Sequence, residues 1–125
     1  MSDPTQLQKP QPAPTGDGVP VWPAVMADLQ ERPLRQFRHL LPHMQARHEF
    51  GLAKYGTPLK TNNGRDAMVD ALQEALDLVA YLSQLLLELP EAQEDDPITE
   101  GLKDLNARAI SLASNLVYNI EARKL

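Results

Sequence analysis

The amino-acid sequence predicts an all-α fold, and three observations support that prediction. Aromatic residues make up only 5% of the chain, and β-branched residues are sparse beside leucine and alanine, which disfavours strands. Residues 65–89 are rich in leucine and alanine and contain neither glycine nor proline. Apolar residues elsewhere recur at three- and four-residue spacings, the period of an amphipathic helix. The predicted architecture is a four-helix bundle with a proline-rich N-terminal tail.

Length, charge and cysteine content limit the possible functions. The 125 residues suit a single domain. A net charge of −5 argues against sequence-independent nucleic-acid binding, which depends on Lys and Arg contacts to phosphate, but a few local cations suffice for a small phosphorylated ligand. The absence of cysteine excludes thiolate catalysis, disulfides and Cys-based zinc sites. Neither a membrane span nor a secretory signal is visible, so we expect a cytoplasmic protein with no membrane partner.

Residues 1–23 are predicted to form a disordered tail, and residues 24–125 the helical domain. Six prolines lie in the tail among Gln, Thr, Gly and Asp. This composition buries too little apolar area to offset the entropy of ordering. Val19, Val21 and Trp22 are the exception, because they could dock on the domain or on a partner.

Prolines and a glycine delimit the first two helices. A first helical zone covers about residues 24–41, and Pro33 interrupts it, so we expect a kink or two short helices. Pro42 suits the first turn of a second helix, where its missing N–H costs nothing. This helix should end near Tyr55, because Gly56 follows it.

A loop over residues 56–64 separates the second and third helices. Its Asn-Gly pair is a turn signal, and Asn62 or Asn63 could cap the next helix. The third helix should cover about residues 65–89, since Pro90 stops it.

The fourth helix should run from Pro97 to about Arg123, after an acidic linker over residues 91–97. The third helix is apolar over more than half of its circumference, and a four-helix monomer would leave part of that surface uncovered. We therefore expect a homo-oligomer, either a dimer or a tetramer.

The third helix carries a strip of carboxylates beside its apolar face. At about 100° per residue its members fall within roughly 80° of one another; they are Asp66, Asp70, Glu74 and Asp77, with Tyr81. Residues 66–96 include no Lys or Arg, so these carboxylates have no cationic partner on their own helix. The strip is either a solvated acidic face or a site for a divalent metal or for cations of the second helix. Glu74 and Asp77, three residues apart, can reach one ion, and Mg²⁺ prefers clustered oxygen ligands.

Cations flank the loop that precedes this helix. Lys54, Lys60 and Arg65, together with the helix N-terminus, could bind phosphate. The alternative is that they are ordinary loop cations, or that Arg65 pairs with Asp66 or Asp70.

Several short motifs lie between residues 43 and 89. They are Lys54-Tyr55-Gly56-Thr57-Pro58-Leu59, Asn63-Gly64-Arg65-Asp66, and the Glu-x-x-Asp element of Glu74 and Asp77. Together these motifs resemble the MazG-like, all-α nucleoside triphosphate pyrophosphohydrolases, especially small phage-type members. The resemblance implies that carboxylates on two helices hold Mg²⁺ and that a (d)NTP is split into the monophosphate and pyrophosphate.

The resemblance also implies roles for individual residues. Mg²⁺ would be held by Glu49, Asp70, Glu74 and Asp77, of which Glu49, Glu74 and Asp77 would be the catalytic carboxylates. Lys54, Lys60 and Arg65 would neutralise phosphate charge, and Tyr55 or Tyr81 would stack on the base. The family's Glu-Glu-x-x-Glu motif should lie on the preceding helix, where this chain has only Glu49.

Three hypotheses for function follow. The first is Mg²⁺-dependent pyrophosphohydrolysis of a nucleotide. The second is a MazG-like protein that binds or sequesters a nucleotide without turnover, because two acidic ligands are missing from the second helix. The third is a structural oligomerisation module whose proline-rich tail engages a partner.

Overall fold

The computed structural model describes residues 3–31, 35–90 and 95–124. Within these ranges the chain is helical and contains no β-strand, which confirms the all-α prediction. Five α-helices and one 3-10 helix are present in the described ranges: α1 (Pro4–Leu7), α2 (Val21–Glu31), the 3-10 helix (Arg35–Leu40), α3 (Leu41–Tyr55), α4 (Ala67–Glu88) and α5 (Pro97–Ala122). None of the helices in these ranges is both long enough and apolar enough to cross a bilayer.

The chain divides into two compact units. The insert unit comprises residues 12–65, and the hairpin unit comprises residues 1–11 together with residues 66–125. The insert unit contains α2, the 3-10 helix and α3, whereas the hairpin unit contains α1, α4 and α5. The boundary predicted after residue 23 stays a prediction.

The disordered tail predicted for residues 1–23 is not confirmed over residues 3–23. Asp3 caps α1 by accepting from the backbone N–H of Thr5, and Leu7 packs against the core of the hairpin unit. Val21 is already the first residue of α2. Hydrogen bonds to later parts of the chain, described below, replace the apolar burial that this segment lacks.

The first helical zone forms two helices, as the position of Pro33 predicts. Helix α2 ends at Glu31 and the 3-10 helix begins at Arg35, while Pro33 itself lies outside the described residues. Leu29 is the buried residue of α2. Both elements pack against each other and against α3 within the insert unit.

Local sequence sets the ends of the longer helices. Pro42 and Pro97 lie in the first turns of α3 and α5, as predicted. Helix α3 ends at Gly56, whose φ of +73° is in the left-handed region that glycine tolerates. The expectation that Asn62 or Asn63 caps α4 is wrong.

Asp66 is the residue that caps α4. The helix begins at Ala67, which puts the Asp66 carboxylate within reach of its first free N–H groups. The oxygen Oδ1 accepts from the backbone N–H of Met68 at 3.1 Å and of Val69 at 3.3 Å.

Helices α4 and α5 form an antiparallel pair. Asp66, just before α4, contacts Arg123, just after α5. Near the middle of the pair, Asn106 Nδ2 donates to Ser83 Oγ over 3.1 Å. Because the start of α4 lies beside the end of α5 and the two contacts approach each other in sequence, the two helices run in opposite directions.

The core of the hairpin unit lies between these helices. Leu72 and Ile120 are 1% and 0% exposed, and Ala113 completes the buried cluster. The residues packed around them are Leu7, Met68, Val69, Ala75, Leu116 and Val117. The core residues on α4 and those on α5 recur at three- and four-residue spacings within each helix. This is the apolar periodicity that predicted these two helices.

Candidate functional site

The acidic strip lies along α4 in the hairpin unit. Because α4 is continuous from Ala67 to Glu88, the predicted rotation of about 100° per residue holds for Asp70, Glu74, Asp77 and Tyr81. It does not hold for Asp66, which precedes the helix and has extended backbone angles. Glu74 and Asp77 are exposed, whereas Asp70 is half-buried. Tyr81, on the same side of α4, is also exposed.

Asp66 is bound by Arg123, which directly follows α5. Arg123 Nη1 donates to Asp66 Oδ1 over 3.0 Å, and Arg123 Nη2 donates to Asp66 Oδ2. The hydrogen bond from Arg123 is the main cause that lowers the pKa of the Asp66 carboxyl below its ordinary value. The carboxylate in turn raises the pKa of Arg123.

Arg123 is a residue that sequence reasoning missed. Cations were expected from the helix that precedes the acidic one, whereas the cation that binds Asp66 directly follows the far end of α5. An antiparallel pairing of two long helices brings the end of the second beside the start of the first. The sequence contained one indication of this contact, because Asp66 stands just before the first of these helices and Arg123 just after the second.

The chain segment 7–11 lies along the start of α4. Gln11 Nε2 donates to the backbone oxygen of Asp66 over 2.6 Å, and the Asp66 N–H donates back to Gln11 Oε1 over 3.2 Å. Gln73 Nε2 donates to the backbone oxygens of Leu7 and Lys9, both over 3.0 Å. Since Gln73 directly precedes Glu74, this segment borders the acidic strip.

The loop that carries the predicted phosphate-binding cations is covered by residues 12–21, here named the strap. Three backbone hydrogen bonds join strap and loop: Thr15 N–H to the oxygen of Asn63 (2.7 Å), Thr61 N–H to the oxygen of Val19 (2.8 Å) and Val21 N–H to the oxygen of Leu59 (2.8 Å). Thr61 Oγ1 also accepts from the N–H of Val19 over 2.9 Å. Both segments belong to the insert unit, so the strap is part of its fold.

The two loop cations are used differently. Arg65 Nη1 donates to the backbone oxygen of Pro12 over 2.8 Å, so the Arg65 side chain is bound to the strap. Lys60 is half-buried and lines a small polar cavity with Thr15 and Asn63. The cavity volume is about 40 Å³, far below the roughly 300–1,000 Å³ of typical small-molecule pockets. In this arrangement the cavity accommodates water but not a nucleotide.

Helix α3 presents cations against aromatic rings. The Arg47 guanidinium carbon lies 5.0 Å from the centre of the Phe50 ring. Lys54 Nζ lies 6.0 Å from the Phe50 ring centre and 5.2 Å from that of Tyr55. Lys54 and Tyr55, both predicted to bind nucleotide, therefore contact each other in cation–π geometry. Phe50 is exposed beside them and was missed because no motif contains it.

The predicted metal ligands come from both units. Glu49 lies on α3 in the insert unit, is exposed and accepts from Gln45 Nε2 over 3.1 Å. Asp70, Glu74 and Asp77 lie on α4 in the hairpin unit. Residues 3–31, 35–90 and 95–124 contain no group of three or more His, Asp or Glu side chains placed to hold a metal ion. The Mg²⁺ site therefore stays a prediction.

The contact between Asp66 and Arg123 predicts a pH-dependent stability. Replacing Arg123 with Gln should lower the free energy of unfolding at neutral pH, because the substitution removes the charged hydrogen-bond donor of the Asp66 carboxylate. The folded-state pKa of Asp66 is depressed, so this stabilisation is complete above its unfolded value of about 3.9 and is lost as the pH falls through the folded pKa. Urea unfolding at neutral and acid pH measures the difference. The matched control is Lys124→Gln, and a difference that persisted in acid would contradict the assignment.

Oxygen donors on α4, cations in the loop and exposed aromatic rings on α3 and α4 are the chemically informative groups of the chain. Carboxylate oxygens suit a hard cation, and cations with aromatic rings suit a phosphorylated ligand with a planar base. Comparisons of the chain with protein-family models, with curated proteins and with solved structures gave no match.

Proposed function

We propose that the chain is a MazG-like, Mg²⁺-dependent nucleotide pyrophosphohydrolase that converts a (d)NTP into the (d)NMP and pyrophosphate. The supporting observation is the state of Glu74 and Asp77, two carboxylates three residues apart on α4. Both are exposed, and the described residues provide no ion pair or hydrogen bond to either side chain. Two carboxylates one helical turn apart, with no cationic partner, supply oxygen ligands and negative charge that suit a divalent ion.

Glu74 and Asp77 are the first ligands in this proposal, with Asp70 one turn earlier and Glu49 supplied by α3. All four offer carboxylate oxygens, which fit Mg²⁺ in chemical type. When bound, Mg²⁺ supplies charge neutralisation for the phosphates and lowers the pKa of bound water. The role of the four side chains is to fix the position of the ion.

The nucleotide would be oriented by the cations and aromatic rings. Lys54, Lys60 and Arg65 offset phosphate charge, and the exposed rings of Tyr55 and Tyr81 offer faces on which a base can stack. Arg65 already donates to the oxygen of Pro12. Its guanidinium would still contribute positive charge beside a bound phosphate.

The proposal extends to the assembly and setting of the protein. It includes a four-helix MazG-like bundle, a homo-oligomer and a cytoplasmic, phage-type nucleotide metabolism. The exposed apolar surface of α4 and α5 supports the oligomer.

A thermal-shift screen tests nucleotide binding. With a panel of NTPs and dNTPs, the unfolding temperature should rise by several degrees when Mg²⁺ is present, because a ligand at about 100 times its Kd adds about 2.7 kcal/mol. The shift should be lost in Glu74→Gln and in Asp77→Asn, whereas Glu88→Gln on the same helix should retain it. A shift that is unchanged without Mg²⁺, or in a variant that carries both Glu74→Gln and Asp77→Asn, would contradict the proposed ligands.

The loss of acids on α3 favours a second function, nucleotide binding without hydrolysis. Only Glu49 is acidic on that helix, and His43, Gln45 and His48 stand near it. In this case the thermal shift should occur but no pyrophosphate should be released, even at high protein concentration. Introducing His43→Glu and His48→Glu should then produce hydrolysis. If no nucleotide binds under any condition, the structural oligomerisation module is the function that is left.

A further inference from the structure

We infer that the strap is an autoinhibitory cover, which must lift from the loop over residues 56–64 before the phosphate groups of a ligand can contact Lys60 and Arg65. The inference rests on the nucleotide binding proposed above and adds a regulation of the same cations. Strap, loop and both cations lie within residues 12–65, the insert unit. The supporting observations are the fit of the two backbones, the state of the two cations, the charge of the strap and its low burial.

Two glycines allow the strap backbone to lie directly against the loop backbone. A Cβ on Gly16 would lie 2.6 Å from the backbone oxygen of Asn62, and a Cβ on Gly18 would lie 1.7 Å from that of Thr61. Nonbonded atoms make their best contacts at about 3.5–4.0 Å, so the gap at both positions is too small for a methyl group. A phosphate group is larger still, and it therefore cannot enter between these backbones while the strap is in place.

The strap also restricts both cations. Arg65 Nη1 donates to the backbone oxygen of Pro12 over 2.8 Å. Lys60 lines a cavity of about 40 Å³ together with Thr15 and Gly16 of the strap. A volume of this size suits water and is too small for a phosphate group with its four oxygens. When the strap lifts, Arg65 Nη1 is released from Pro12 and the cavity opens beside Lys60.

The strap brings no cation that could replace the two that it covers. Asp17, which stands between the two close-packed glycines, is its only charged residue. A carboxylate at this position lowers the positive potential of the loop and opposes the approach of a phosphate. The strap therefore restricts access to the loop by charge as well as by contact.

The strap can lift without unfolding of α3. None of residues 12–21 is buried, residues 12–17 are exposed, and Val19 is 62% exposed. The attachment depends mainly on hydrogen bonds near the surface, such as the one from the Val19 N–H to Thr61 Oγ1. Segments with few buried apolar contacts and exposed hydrogen bonds open at a small fraction of the free energy of global unfolding. For a ligand that binds only the open state, the apparent Kd equals the intrinsic Kd divided by the open fraction.

A disulfide between strap and loop provides a test. Val19 and Thr61 lie opposite each other in an antiparallel arrangement, in which the Thr61 N–H donates to the Val19 oxygen over 2.8 Å. Opposite residues joined in this way have Cα atoms about 5.5 Å apart, a separation that suits a disulfide. Because the chain has no cysteine, the two cysteines of the variant Val19→Cys with Thr61→Cys can pair only with each other within one chain.

Calorimetry with inorganic triphosphate and Mg²⁺ measures the effect of this cross-link on binding. The oxidised form should bind at least about tenfold more weakly than the reduced form, because the cross-link keeps the strap on the loop and the open fraction low. The reduced form is the matched control, since both forms have the same sequence. Equal affinities of the two forms would overturn the inference.

Gly18→Ala provides the opposite change. It should separate strap and loop, so triphosphate should bind more tightly by the same factor by which hydrogen exchange of the Thr61 N–H accelerates. Gly51→Ala, within α3, should leave the affinity unchanged. In the wild-type chain, triphosphate should also accelerate exchange at Thr61, because the bound state is the open one. If triphosphate slows this exchange, the strap closes over the ligand, which contradicts the inference.

Failure of the inference and failure of the proposed function give different results. If a nucleotide with Mg²⁺ raises the unfolding temperature of the oxidised and reduced cross-link variant equally, nucleotide binding stands and the inference alone fails. If no form of the chain, Gly18→Ala included, binds triphosphate or a nucleotide, both fail.

Discussion

Replacing Ile120 with alanine is expected to lower the free energy of unfolding by about 2–5 kcal/mol. The Ile120 side chain is 0% exposed and lies in the small cluster that joins α4 to α5. Its truncation removes buried methyl and methylene groups and leaves a cavity that Leu72 alone cannot fill. Chemical unfolding followed by circular dichroism measures the change.

The control for this substitution is Ile110→Ala on the same helix. Ile110 is 52% exposed, so its truncation should change stability by no more than about 0.5 kcal/mol. Equal effects of the two substitutions would show that α4 and α5 are not packed through Ile120.

Gly18→Ala is expected to detach the strap from the loop over residues 56–64. A Cβ at residue 18 would lie 1.7 Å from the backbone oxygen of Thr61 and 2.5 Å from its carbonyl carbon. No rotation of a side chain relieves a clash with backbone, so the two segments must separate and the Val19–Thr61 hydrogen bonds are lost. Hydrogen exchange of the Thr61 N–H should accelerate by about 10- to 100-fold, equivalent to about 1.4–2.8 kcal/mol.

Gly51→Ala is the matched control for the strap. Gly51 lies within α3, and apart from its chain neighbours and the backbone of its own helix no atom is within 4 Å of the position of an added Cβ. Alanine there should stabilise the protein by about 0.5–1 kcal/mol, because it loses less backbone entropy than glycine in a helix. Unchanged exchange at Thr61 in the Gly18 variant would contradict the described strap.

Sequence reasoning predicted α3, α4 and α5 closely because their signals are local. Pro42, Gly56 and Pro97 act through the geometry of their own residues, and apolar periodicity identifies the buried side of each helix. The shared side of Glu74 and Asp77 follows from the same local rule. A capping residue is also local, but Asn62, Asn63 and Asp66 all suit the role, and only the observed start of α4 selects Asp66.

The strap and the Asp66–Arg123 contact could not be predicted in the same way. The strap is joined to the loop largely through backbone groups, such as those of Thr15 and Asn63, which are 48 residues apart. Backbone groups leave no residue-specific pattern in the sequence. A proline-rich composition indicates that little apolar area is buried, but it carries no information about hydrogen bonds such as those between the strap and the loop. Whether Glu49 joins the α4 carboxylates depends on tertiary arrangement, which helical periodicity does not determine.

The placement of the insert unit within the sequence of the hairpin unit affects the order of folding. The hydrogen bonds between Gln11 and Asp66 span 55 residues, and closing an unstructured loop of that length costs about 3.5 kcal/mol of conformational entropy. Within the insert unit, Arg65 already contacts Pro12. Once residues 12–65 have folded, Gln11 and Asp66 are therefore close together. Most of the loss of conformational entropy has then already occurred. We expect this unit to act as a nucleus, and Gly18→Ala to slow refolding of the whole chain.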